Sequence, residues 1–132
     1  MHTQSAEQTL AERAVERIRR DYALLDGVEA LADALGVSKY HLIRSVKAEA
    51  GESPGRLLKA RRLEIAAALL RGRDYSVETT ARMVGFSCGN YFSKVFVRAY
   101  GLPPLAYRVQ KKDPLSPAEE KWVRELEYLY QA

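Results

Sequence analysis

The sequence predicts an all-α fold: two helix-turn-helix subdomains joined by a long linker helix, plus an extra C-terminal helix. Three observations predict it. Ala32, Gly36 and Ser38 recur 49 residues later as Ala81, Gly85 and Ser87. At an offset of 50, Leu42, Arg44, Val46, Gly51 and Pro54 recur as Phe92, Lys94, Phe96, Gly101 and Pro104. Between the copies lies SPGRLLKARRLEIAAALLR, residues 53–71, which is mostly strong helix formers.

The first helix is expected over residues 5–25. Leu10, Ala14, Ile18 and Leu25 recur near helical spacing, with Val15 and Tyr22 beside them. Glu12, Arg13, Glu16, Arg17, Arg19 and Arg20 would face outward, and Asp26-Gly27 supplies turn chemistry. Val28–Leu35 and Lys39–Ala50 then flank Gly36-Val37-Ser38, a helix, a short glycine turn and a second helix. Gly36 can take a positive φ, and Ser38 can cap the second helix. Leu42 and Val46 would pack inward, while Tyr40, Ile43, Arg44 and Lys47 share the opposite face.

The linker begins well, with Ser53 as N-cap and Pro54 in the first turn, where a missing N–H costs nothing. Its two apolar stripes, Leu58-Ile65-Leu69 and Ala60-Leu63-Ala67-Leu70, can serve two cores. An ordinary core helix of a single bundle is the plainer alternative; the flanking repeat favours the bridge. About 18 residues would span roughly 27 Å.

The second copy starts at Ser76, a cap, with Thr79-Thr80 inside the helix and Ala81 and Val84 facing the core. Gly85-Phe86-Ser87 is the turn. Cys88–Tyr100 is the next helix, with Phe92, Val95, Phe96 and Ala99 as its core stripe. Gly101 to Pro104 stops it and starts Leu105–Gln110, from which Tyr107 and Val109 would cover the second core. Cys88 is expected to be a small half-buried spacer, with a redox-sensitive thiol as the alternative. In the tail, Ser116-Pro117-Ala118-Glu119 has capping-box spacing. Trp122, Leu126, Leu129 and Tyr130 form an apolar stripe, expected to pack on the chain's own body; a dimer or protein contact is the alternative. The divisions expected are residues 5–58, 53–71, 72–112 and 113–132.

The net charge is +4, but residues 114–132 carry −2, so the rest carries +6. A basic helical body points to nucleic acid. The lone cysteine excludes an internal disulfide, and two scattered histidines give no zinc-ligand spacing. The polar N-terminus has no signal-peptide pattern and no apolar run reaches membrane length, so a cytoplasmic protein without membrane contact is expected. No nucleophile–base pair or phosphate loop is visible, so no enzyme activity, cofactor or metal is expected.

A helix-turn-helix puts the outer face of its second helix into the major groove, N-terminal residues nearest the base edges. Arg44 can bond guanine, Ile43 can touch a thymine methyl, Lys47 suits a phosphate, and Asn90 can read adenine. Across the repeat, Tyr40, Ile43, Arg44 and Lys47 correspond to Asn90, Ser93, Lys94 and Val97. With Lys39, Ser87 and Arg98, the expected DNA-contacting set is Lys39, Tyr40, Ile43, Arg44, Lys47, Ser87, Asn90, Ser93, Lys94 and Arg98. The bland alternative has Tyr40 and Ile43 filling a crevice and Arg44 merely solvated.

The strings ALADALGVSKYHLIR, RRLEIAAALLRG and ARMVGFSCGNYFSKVFVRAYGLPPLAYR resemble the DNA-binding domain of AraC/XylS-type transcription regulators, from about Leu10 to Arg108. The resemblance implies seven helices and recognition helices in successive major grooves, ~34 Å apart. A linker shorter than one turn of duplex then implies modest DNA bending. It also implies regulation of transcription, as an activator, with RNA polymerase as a partner. Three positions depart from the family pattern. Gly89 stands where a polar side chain is frequent, removing a base contact. Val97 replaces a usual Lys or Arg, and Val46 replaces a usual Phe. The chain resembles either a stand-alone regulator of the MarA/SoxS type or a fragment of a longer member. A protein-interaction module using the tail, with weak or non-specific DNA binding, is the competing function.

Overall fold

The computed structural model describes residues 7–131, which form eight α-helices and no strand. They are α1 (Leu10–Asp21), α2 (Val28–Leu35), α3 (Lys39–Ala50), α4 (Pro54–Gly72), α5 (Val77–Met83), α6 (Gly89–Tyr100), α7 (Pro104–Gln110) and α8 (Pro117–Gln131). The chain divides into two compact units, residues 1–61 and 62–132, so the division falls inside α4.

In the first unit, α1 starts later than its periodicity suggests. Thr9 makes a capping box: its Oγ1 accepts from Glu12 N at 3.1 Å, and its own N–H donates to Glu12 Oε1 at 2.9 Å. The helix stops at Asp21, whose carbonyl accepts from Leu24 and Leu25. Residues 5 and 6 of the expected helix lie outside the described residues. Gly36 and Gly51 end α2 and α3 in left-handed geometry, at φ 73° and 81°. Ser38 caps α3 by accepting from His41 N at 3.1 Å. Ala14, Ile18, Leu31, Ala32, Leu42, Val46 and Leu58 close the core.

In the second unit the C-terminal part of α4 is buried at Leu63 and from Ile65 to Leu70. Ala60, placed on an apolar stripe by the sequence, is exposed. Ser76 caps α5 through Thr79 N at 3.0 Å. Phe86, Phe92, Phe96 and Tyr107 form a chain of ring contacts at 5.2–5.5 Å. Two expected core members are corrected. Ala99 is exposed, and Val109 is 65 % exposed, because α7 turns only Pro104 and Tyr107 inward.

Thr80 is completely buried and its hydroxyl has no hydrogen-bond partner among the described residues. Leaving such a group dry costs about 1–3 kcal/mol. Thr80→Val keeps the shape and removes the hydroxyl. It should raise the unfolding free energy, read from a urea melt, by an amount in that range; an unchanged or lower value would refute the account.

The tail packs on its own unit. Ser116 and Glu119 form the expected capping box, at 2.9 and 3.1 Å. The buried residues of α8 are Val123 and Leu126, so the stripe is rotated from the sequence reading. Trp122 is half-buried, while Leu129 and Tyr130 are 42 % and 51 % exposed because they lie past the covered part of the helix. Carboxylates of α8 hold the arginines at the end of α4. Arg71 reaches Glu119 at 2.6 Å; Arg73 reaches Glu120 and Glu127, each at 2.9 Å. Tyr75 Oη donates to Glu127.

Arg71 and Arg73 hold the Glu119 and Glu120 carboxyls below their ordinary value of 4.5. For Glu127 burial pushes upward, but the bonds from Arg73 and Tyr75 outweigh it and the pKa is lowered. Groups whose folded pKa is depressed contribute stability above the unfolded value, lost as pH falls through the folded values. The docking of α8 should therefore weaken only below about pH 4.5. Trp122, the single tryptophan, reports it by fluorescence. A transition centred above that pH would exclude these carboxylates as the cause.

Candidate nucleic-acid interface

Helix α3 is held against the first unit by Leu42 and Val46, both fully buried. Its other side therefore faces out. Lys39, Tyr40, Arg44 and Lys47 are exposed and Ile43 is half-buried. Helix α6 is anchored by Phe92, Val95 and Phe96. That leaves Asn90, Lys94 and Arg98 exposed, Ser93 half-buried, and Ser87 exposed just before the helix. Every residue expected to touch DNA thus lies wholly or partly at the surface of α3 or at and along α6. Tyr40 fills no crevice; Ile43 is partly covered.

Many of the arginines elsewhere in the chain have a carboxylate partner. Arg17 and Arg20 pair with Asp21, Arg56 with Glu52, Arg71 and Arg73 with α8, and Arg82 with Glu78. Among the described residues, no carboxylate pairs with Lys39, Arg44, Lys47, Lys94 or Arg98. Unneutralised cations on an outward helix face suit an anion supplied from outside.

The start of α6 differs from that of α3. Cys88 is its N-cap, in extended backbone, and makes no side-chain cap bond. It is exposed, where a half-buried spacer was expected. The cap comes instead from α5: Glu78 Oε1 accepts from Gly89 N at 3.0 Å. A Cβ on residue 89 would stand 2.5 Å from that oxygen. Gly89 has no positive φ, so space for the Glu78 carboxylate, not backbone geometry, is what the glycine provides. Sequence reasoning missed Glu78 and Arg82. The available signal was a glycine at a helix start without a turn to require it.

Among the described residues, no group of three or more His, Cys, Asp or Glu could hold a metal ion, and no helix is long and apolar enough to cross a membrane.

Residues 31–110 match the family described as a helix-turn-helix domain. The chain is 35 % identical over 81 residues to the xylose operon regulatory protein of Escherichia coli strain K12, covering 61 % of this chain and 21 % of that protein. Over the same length it is 40 % identical to an HTH-type transcriptional regulator of Haemophilus influenzae, covering 61 % of this chain and 27 % of that protein. The chain therefore spans only about a quarter of the length of these relatives. Among solved structures it is similar to the C-terminal domain of AraT, a response regulator from Geobacillus stearothermophilus. The TM-score is 0.75 with 32 % identity, covering 83 % of this chain and 90 % of that one. It is also similar to the DNA-binding domain of AdpA in complex with a target DNA, at TM-score 0.71 and 27 % identity, covering 77 % and 92 %. With two capped helix-turn-helix units and these matches, the chain belongs to the AraC/XylS family of transcription regulators and carries that family's DNA-binding domain.

Proposed function

We propose that this chain reads a specific double-stranded DNA sequence through two adjacent major-groove segments, one with α3 and one with α6, and thereby regulates transcription. The observation that carries this reading is the set of unpaired cations on both outward faces, at repeat-related positions Arg44 and Lys94. In the first unit Arg44 donates to a base edge, Ile43 offers an apolar contact, and Lys39, Tyr40 and Lys47 hold the backbone. In the second, Asn90 and Lys94 reach base edges, Ser87 and Ser93 add hydroxyls, and Arg98 meets a phosphate. RNA polymerase is the partner such a regulator would engage, in the cytoplasm where both are found. The work needs no cofactor and no catalytic group. A tail-based interaction module is the weaker reading, since Val123 and Leu126 of α8 are already covered by the chain itself.

Selection of tight-binding duplexes from random sequence, followed by titration of salt against the winner, tests the proposal. Binding should weaken with a log–log slope of about −0.9 per phosphate contacted. Failure to enrich any sequence would refute specific recognition.

A further inference from the structure

The carboxylate of Glu78 does two things at once. Oε1 takes the first N–H of α6, at Gly89, and Oε2 takes Arg82 Nε at 2.8 Å. Both residues of that ion pair are about half exposed. Arg82 is thereby fixed beside the N-terminal end of the recognition helix, the end that goes deepest into a groove. Only its Nε edge is engaged. Its two terminal nitrogens have no other partner among the described residues and remain free to donate. The first helix of a helix-turn-helix crosses the phosphate backbone, and Arg82 is the last-turn cation of that helix here. Lys94 and Arg98 lie further along α6, and Val97 leaves an uncharged gap on that face.

We propose that Arg82 is a contact to a DNA backbone phosphate at the rim of the groove read by α6, and that Glu78 is its positioning residue. The inference rests on the reading under Proposed function. With its Nε bound, the guanidinium is already ordered, so a phosphate meets a preformed fork rather than a mobile chain. Glu78 also occupies the N–H at which a phosphate would otherwise sit on the α6 terminus. At this end of α6 the second unit thus takes a backbone contact from a side chain of α5 instead of from the helix terminus, in addition to Arg98 further along. Gly89 makes this arrangement feasible, since any Cβ there displaces the carboxylate.

The test uses the full chain, a duplex recovered by selection and a random duplex, with binding followed across salt concentration. Arg82→Ala should lower the log–log salt slope by about 0.9 and weaken both duplexes by the same factor. In a Glu78→Gln background, Arg82→Ala should change the slope by much less, because the guanidinium is no longer held. Gly89→Ala should behave like Glu78→Gln, and its fold is checked by circular dichroism and melting. An unchanged slope for Arg82→Ala overturns the phosphate contact. Equal slope changes with and without Glu78 overturn the positioning role. A parent chain with no salt-dependent affinity for any duplex would instead overturn the DNA-reading function itself, and this contact with it.

Discussion

Cutting Phe96 back to alanine should cost the second unit about 3–5 kcal/mol, the usual loss for a large aromatic removed from a packed core. Phe96 is fully buried and its ring touches Phe92 at 5.5 Å, Tyr100 at 4.6 Å and Tyr107 at 5.2 Å. The last of these is an edge-to-face contact that ties α7 to α6. Small domains hold only about 5–15 kcal/mol in total, so the variant should lose much of its second unit at 37 °C. The functional consequence is specific. Asn90, Lys94 and Arg98 lose the platform that aims them, whereas α3 keeps its own anchors, Leu42 and Val46. A footprint on the selected duplex should shrink to the part read by α3. Denaturant melts give the energy; a loss below about 1 kcal/mol would mean the cavity collapses or the ring cluster carries little.

How much of this was legible in the sequence depends on the range of the interaction. Local chemistry was legible. Ser38, Ser76 and Ser116 cap the helices at which they were placed, because a cap needs only a hydroxyl and an N–H three residues on. Gly36 takes the positive φ that its turn suggested. The phase of an apolar stripe near a helix end was harder. Ala99 and Val109 fit the spacing, but spacing says nothing about whether a neighbour reaches that far along the helix. In α8 the choice between Trp122 and Val123 as the buried residue required knowing which direction the partner lay.

Side chains meeting across long stretches of sequence were not legible at all. Arg71 and Arg73 find Glu119, Glu120 and Glu127 only after the tail has folded back. Glu78 meets Gly89 from another helix, and the glycine by itself reads as a lost contact. Charge counting placed the surplus of cations in the body and missed how they divide. The arginines at the end of α4 are neutralised by the tail, while those on α3 and α6 are left open.

That division sets the expectation for Arg44 and Lys94. Arg44→Ala and Lys94→Ala should each weaken binding to the selected duplex by ~1–3 kcal/mol, roughly 5- to 150-fold. Neither cation has a carboxylate partner to lose, so truncation should leave folding stability within about ±0.5 kcal/mol. Loss of affinity without loss of stability then belongs to the interface. Lys47→Ala serves as the internal contrast. A phosphate contact carries no sequence information, so that variant should lose affinity on selected and random duplexes alike, with the salt slope reduced by about one. Arg44→Ala and Lys94→Ala should instead lose most on the selected duplex and little on random sequence. Re-selection with each variant should relax the base preference at one place in the site, a different place for each. Equal losses on both duplexes would show that the two residues touch only phosphate, and base reading would then fall to Asn90, Ser93 and Ile43.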